Sequence, residues 1–337
     1  MCWIIWRVNF ARKNPGPVHT NFDRGLTSSM DEFELIEHAF RKRAPFVHAL
    51  TRLPNGDDAS IHTVPEGQEL VISTDVSVAG KHWPEDFPLS DAACRAVNAA
   101  VSDLAAMGAV PAWVWLGIMA TSSDDADRMG QGVAMALKSV SMELAGGDTV
   151  KSSVNALSVT VAGMLPQGSG MRRDTAHAGQ DVWLCGHAGF SAYGLRQWRQ
   201  GNREGSHVPY FRMVRPLLQE GTRLRELGVT CCIDVSDGLS ADAGHVADTS
   251  GVAVHLCMEK VDDFVSLARE MDEQEAIRLV LGGGEDYSLL FTASAEQRES
   301  LETFACRIGA CREGCGVHTT LHGQNIDMAH MGYDHFA

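Results

Sequence analysis

Positive charge is scarce in this chain of 337 residues: 28 Lys and Arg stand against 43 Asp and Glu, a formal charge of −15. That balance argues against a general nucleic-acid or anionic-membrane surface, each of which needs a basic face. It leaves a phosphorylated small molecule open, because bound metal reverses the sign of a site locally. No apolar run approaches the ~20 residues of a membrane span. Cys2-Trp3-Ile4-Ile5-Trp6 is apolar but short, and Arg7, Arg12 and Lys13 follow it, the reverse of a secretory signal. Met30 opens a segment of amphipathic helical spacing, so the functional chain is expected to begin near Met30. Residues 1–29 then read as a disordered extension or a start-site artefact. The nine cysteines show no framework of paired spacings. Cys306, Cys311 and Cys315 crowd together near His318 and His322, but no fourth ligand has the spacing of a structural zinc site. Free thiols in a reducing cytoplasm are the expectation. Also missing are the Gly-x-x-x-x-Gly-Lys-Ser/Thr loop, the His-Arg-Asp loop and the Gly-x-Ser-x-Gly elbow. A bound nucleotide must then be held through metals and scattered donors.

What the chain does carry is a set of short acidic segments at the ends of apolar runs. They are Gly56-Asp57-Asp58, Ser73-Thr74-Asp75, Gly146-Gly147-Asp148-Thr149, Asp234-Val235-Ser236-Asp237-Gly238 and Gly283-Gly284-Glu285-Asp286-Tyr287. Each alone is ordinary turn chemistry. Together they mark strand and helix ends, where ligand sites of α/β folds gather. So many carboxylates brought together without a counter-ion would repel and raise one another's pKa. Divalent cations with oxygen ligands remove that cost, and Mg²⁺ binds one or two carboxylates plus substrate phosphates. The reading is a Mg²⁺-dependent phosphate-handling enzyme. Lys81-His82 and Arg172-Arg173 are candidate phosphate clamps, or solvated surface pairs.

Strands alternate with helices in both halves, which indicates α/β or α+β domains. The expected order begins with a helix carrying Phe33, Ile36 and Phe40 and ending before Pro45. A buried strand over Glu69–Thr74 and a helix capped by Ser90 follow, with Asp103 off the apolar stripe. Next come a strand at 112–118, a helix from Asp125 to Leu144 stopped by Gly146-Gly147, and a strand at 154–165. The Gly- and Arg-rich stretch 166–179 is placed as the boundary, giving domains 30–165 and 166–337. Beyond it the expectation is strand 182–186, helix 188–200, helix 210–227, strand 229–235, helix 239–250, strand 252–257, helix 264–281 and strand 287–292.

Ile72-Ser73-Thr74-Asp75 with Gly80-Lys81-His82, Ser102-Asp103-Leu104-Ala105-Ala106-Met107-Gly108, Gly146–Thr149, Ile233–Leu239, Gly283–Tyr287 and the closing Gly332-Tyr333-Asp334-His335-Phe336 stand in a telling order. From about Glu32 to Phe336 the chain resembles the thiamine-monophosphate kinase family of the aminoimidazole-ribonucleotide synthetase superfamily. The resemblance implies transfer of the γ-phosphoryl of ATP to thiamine phosphate, giving thiamine diphosphate. It implies a two-domain fold whose N-terminal domains pair into a shared β-barrel in a homodimer, with a C-terminal α/β domain covering the nucleotide. It also implies that Asp58, Thr74, Asp75, Asp103, Asp148, Asp234 and Asp237 hold several Mg²⁺ ions. Gly147, Asp148, Arg173 and Ser236 would contact ATP, and His82, Glu285 and Tyr333 would contact thiamine phosphate. No single general base is expected, since the acceptor is already an ionised phosphate. Where the family has Arg-Ser-Gly-Ala-Lys-Pro-Gly-Asp, this chain reads Arg173-Asp174-Thr175-Ala176-His177-Ala178-Gly179-Gln180. A selenophosphate synthetase-like enzyme would need a reactive Cys followed three residues later by Lys, and Cys2 is followed by Trp3-Ile4-Ile5. A nucleotide-binding protein without turnover is the remaining alternative, and degenerate relatives of that kind normally lose acids from the metal set.

Overall fold

The structure, a computed structural model, describes residues 32–326; the stretch 1–29 and Tyr333 lie outside the described residues. Helix α1 (Glu32–Ile36) runs into a π-helical turn at Glu37–Arg41 that buries Phe40. Strands β1 (Thr51–Leu53) and β2 (Ile61–His62) pair antiparallel around the Asp57-Asp58 loop. Then follow β3 (Gln68–Val78), α2 (Leu89–Ala106), β4 (Val110–Ala120), α3 (Ser123–Val140), β5 (Glu143–Lys151) and β6 (Ala156–Pro166). The four long strands form one sheet in the order β3-β6-β4-β5. The apolar stripes of α2 and α3, with Val97, Val101, Met129 and Val133, cover one face of it through Leu116, Val159 and Val161.

Helix α3 ends at Val140, where Ser141 adopts the left-handed conformation, and the buried Leu144 lies in β5 rather than on the helix. Gly146-Gly147 is therefore no helix stop. A Cβ at Gly146 would lie 2.9 Å from Trp115 Cδ1 and one at Gly147 2.3 Å from the Leu116 carbonyl, so these glycines let β5 lie close against β4. Strand β3 is longer than expected and is not buried on both sides: Leu70, Ile72 and Val76 are exposed on the face away from α2.

The second half contributes β7 (Asp181–Cys185), α4 (Phe190–Arg199), α5 (Val208–Arg212), α6 (Leu218–Glu226), β8 (Cys231–Asp234) and α7 (Leu239–Ser250). It continues with β9 (Ala253–Cys257), α8 (Asp262–Leu267), α9 (Glu273–Gly282), β10 (Leu289–Ala293), α10 (Arg298–Leu301), β11 (Cys306–Arg312), β12 (Val317–Leu321) and β13 (Gln324–Asn325). Its seven strands lie in the order β13-β12-β9-β11-β7-β10-β8. Val246, Ile277, Leu290 and Ile308 lie in its core. The single helix expected over 210–227 is broken between α5 and α6 around Pro216, which has no amide to donate and biases Arg215 away from helix. The helix expected over 264–281 is likewise two, with the Asp272 side chain capping α9 by accepting from the Glu275 amide at 3.3 Å. Cys311 is buried in β11 and Cys306 Sγ donates to Asp262 Oδ2 at 3.1 Å, so these thiols do not form a zinc site with Cys315. Among the described residues no helix is long and apolar enough to cross a membrane.

Candidate active site

Strand β8 delivers Asp234 at its last position, and the turn 235–238 then swings into α7 through Gly238, whose φ is +112°. Asp242, in the first turn of α7, accepts the amides of Ser236 at 3.0 Å and Asp237 at 3.1 Å, which fixes that turn. The segment 283–287 lies against it: Glu285 N donates to Ser236 O and Tyr287 N to Val235 O, both at 2.8 Å. A Cβ on Gly284 would come within 2.3 Å of the Ser236 carbonyl, so only glycine allows this approach. Glu285 and Tyr287 both sit in left-handed backbone, at φ of +70° and +53°, a conformation that costs roughly 1–2 kcal/mol for a residue with a side chain. The Asp286 carboxylate is turned away from them and accepts the amides of Gly189 at 2.6 Å and Ser191 at 2.8 Å at the start of α4.

From the first half, β3 supplies Thr74 and Asp75, the following turn supplies His82, and α2 supplies Asp103. The Ser73 hydroxyl donates to Asp103, and His82 Nδ1 accepts the Val78 amide at 3.0 Å. In the neutral ring that bond leaves the proton on Nε2, a donor suited to a phosphate oxygen. Thr74 and Thr160 share a hydroxyl contact of 2.9 Å. The two halves enclose a cleft of about 890 Å³ lined by Thr74, Asp75, His82 and Asp103 on one side and by Asp234, Ser236, Asp237 and Glu285 on the other.

Its electrostatics are those of crowded acids. Burial, then the charges of Asp103 and Asp242, push the Asp234 carboxyl up to about 8. Asp103 is raised by burial against the opposing effects of the Ser73 hydrogen bond and Arg173. Asp75 is raised by burial, and the neighbouring Asp103 and Glu285 raise it further against the Val76 amide. Hard oxygen donors held at such a cost fit a divalent cation and disfavour a soft one. Among the described residues, Asp237, Asp242 and His245 also bring ligand atoms within 4.8 Å of one another.

The remaining expected residues lie elsewhere. Asp148 is exposed on β5, at the opposite sheet edge from β3. It shares a transverse row with Gly117, Ser158 and Val76, whereas Asp75 shares the next row with Val159, Leu116 and Gly147. Side chains of successive rows point to opposite faces, so Asp75 faces the helices and Asp148 the open side. Asp58 is exposed in the β1–β2 loop, and Asn55 of that loop donates to the Leu144 carbonyl of β5. Arg173 does not line the cleft, although its charge reaches Asp103. Its carbonyl accepts the hydroxyls of Thr249 at 3.0 Å and Ser250 at 3.1 Å. The altered loop after it is anchored by this chain's own residues: Gln180 Oε1 accepts the His177 amide at 2.8 Å and the Thr292 hydroxyl at 2.7 Å. Arg95, Arg199 and Phe211 escaped the motif reading. Arg199 and Phe211 line the cleft, and Arg95 lies behind it.

Residues 56–165 match the family model of the AIR synthase related protein, N-terminal domain, and the mixed α/β chain has the fold of that class. Its sequence is 32% identical over 323 residues to the thiamine-monophosphate kinase of Salmonella typhimurium, covering 91% of this chain and 98% of that one. The crystal structure of thiamine-monophosphate kinase from Stenotrophomonas maltophilia K279a matches with a TM-score of 0.78 at 33% identity, covering 89% of this chain and 99% of that chain. The structure of AaThiL complexed with AMPPCP and TMP has the same fold, with a TM-score of 0.72 at 24% identity over 93% of this chain and 100% of that chain. The chain belongs to the thiamine-monophosphate kinase family, a family of phosphotransferases.

Proposed function

We propose that the cleft binds ATP and thiamine phosphate side by side and passes the γ-phosphoryl group directly between them, forming thiamine diphosphate and ADP. The observation that carries this reading is the convergence of Asp75, Asp103, Asp234 and Asp237 from both halves on one cleft, in a chain of this family. The binding of AMPPCP and TMP by AaThiL supports the same pair of substrates here. The Thr74 hydroxyl, paired with that of Thr160, shares the open face of β3 with Ile72 and Val76; the four carboxylates are the side chains that would hold Mg²⁺, and their hard oxygens and buried charge fit it. Bound there, Mg²⁺ would offset the charges of donor and acceptor phosphates. The chain's own contribution is positioning. Ser236, in the turn that leads into α7 and on the cleft wall, would contact the nucleotide phosphates through its hydroxyl. His82 Nε2 and Glu285 orient the acceptor, and Tyr333 is assigned to the thiamine end by family likeness. Because the acceptor oxygen is already ionised, positioning and charge neutralisation carry the rate, without a dedicated base.

The homodimer belongs to the same proposal. Strands β3 and β5 each have one sheet neighbour among the described residues, and Leu70, Ile72 and Val76 expose 44–59% of their surface on the open face. Pairing of two such sheets would cover that apolar face. The open face also carries Asp148, and we assign Gly147, Asp148 and the neighbouring Asp58 loop to the nucleotide site of the opposite chain. Arg173 is assigned to ATP beside Asp103. The eight described cysteines are unpaired, which suits a cytoplasmic enzyme drawing on cellular ATP. The test is ADP release from Mg²⁺-ATP with and without thiamine phosphate. Release that needs both thiamine phosphate and Mg²⁺, and stops on chelation, is expected; release indifferent to thiamine phosphate would rule out the acceptor.

A further inference from the structure

Arg95 interrupts the alanine-rich buried side of α2, between Ala92-Ala93 and Ala96, and is itself only 3% exposed. A guanidinium stays charged at that depth and needs acceptors. It finds them all in the second half of the chain. Nη1 donates to the Phe211 carbonyl in α5, and Nη2 donates to the Glu285 carboxylate. Nη2 also lies 3.3 Å from the Glu285 carbonyl and 3.4 Å from the Ser191 hydroxyl. The guanidinium carbon sits 4.5 Å from the Phe211 ring centroid and 5.8 Å from that of Tyr287. Arg95 does not line the cleft, but Ser191, Phe211, Glu285 and Tyr287 do.

We infer that Arg95 is a positioning residue for the acceptor: from behind the cleft wall it fixes the Glu285 carboxylate and thereby sets the affinity for thiamine phosphate. This rests on the reading of Glu285 as an acceptor contact. Three features point to it. Glu285 holds left-handed backbone, which needs outside restraint, and Arg95 binds both its carbonyl and its carboxylate. The Glu285 side chain still keeps 32% of its surface exposed, so it is held without being covered. The carboxylate lies close enough to Asp75 to repel it, and the Arg95 cation offsets a charge that would otherwise oppose an incoming phosphate. Lysine at this position would keep the charge but lose the planar fork that reaches Phe211 and Glu285 together.

The experiment compares the full-length native chain with R95M, R95K, E285A and R95M/E285A, measuring KM for thiamine phosphate and for ATP separately. R95M is expected to raise the KM for thiamine phosphate about tenfold or more while that for ATP stays within about twofold, the size expected for losing a charged hydrogen-bond set. R95K should recover part of the loss, and R95M/E285A should be no worse than E285A, because both changes remove one device. An unchanged E285A would refute the reading of Glu285 and this inference with it. A raised KM in E285A with a native value in folded R95M would overturn the role of Arg95 alone, as would independent, multiplying effects in the double variant. If R95M does not fold, R95K decides: a native KM for thiamine phosphate overturns the inference, and a raised one with unchanged ATP affinity supports it.

Discussion

Asp234 is 7% exposed, and burial together with Asp103 pushes its carboxyl up to about 8. Such a group is costly to keep charged without a cation beside it, and a perturbed carboxyl lining a cleft marks a functional site. Asp234→Asn keeps the shape and removes the charge. We expect turnover to fall by about two orders of magnitude or more, with thermal stability equal to or above that of the native chain. Steady-state rates and melting curves on the same preparation check this, and near-native turnover would refute the metal role. Asp75, Asp234 and Asp237 are legible in the sequence as cleft candidates because carboxylates beside glycines or hydroxyls at element ends form a pattern of residue types. Asp103 was also legible as an acid off an otherwise apolar helical stripe. Arg95 was not, because it lies within the buried side of α2 and its partners are 96 to 190 positions away. What could have drawn attention to it is the cation itself among alanines, since a buried charge requires a partner.

Strong periodicity fixes the bounds of an element: α7 begins and ends where its pattern does, at Leu239 and Ser250. Where structure and pattern differ, the cause is local. The period of α3 continues by coincidence through Val140 and Leu144, while the left-handed Ser141 ends the helix and Leu144 belongs to a strand. Strands β11 to β13 carry no clear sequence pattern, because Gly309, the cysteines and short polar stretches blur a two-residue alternation. The β7–α4 connection supplies a prediction of its own. His187 Nδ1 pairs with Asp263 of α8 at 2.9 Å, and that hydrogen bond holds the imidazole pKa above 6.5 against partial burial. A histidine pKa raised by folding stabilises the protein fully below pH 6.5 and loses that contribution as pH rises through the folded value. The gap in melting temperature between native protein and His187→Gln should therefore be widest near pH 6 and narrow towards pH 9. A gap that stays constant with pH would mean that ring packing on Phe190 and Tyr210, rather than charge, is what His187 contributes.

At the scale of the molecule, the single chain gathers eight of the expected site residues in one cleft and leaves Asp148 on the other face of the sheet. The acid was legible as a residue type; the side of the sheet was not, because it depends on which strands pair and in what register. Under the proposed pairing, Asp148 of one chain serves the cleft of the other. Mixing separately inactive D148N and D234N chains with subunit exchange should then restore part of the turnover, since each mixed dimer has one cleft with both acids. No recovery in demonstrably mixed dimers would place Asp148 outside its neighbour's site. The central claim, direct transfer between two phosphates in this cleft, is tested most directly by product analysis. Purified chain, Mg²⁺-ATP and thiamine phosphate are incubated and separated by chromatography, with D234N as control. Thiamine diphosphate and ADP formed in equal amounts by the native chain and not by D234N is the predicted result. Folded native chain that yields no thiamine diphosphate, or that yields it equally with D234N, would contradict the account.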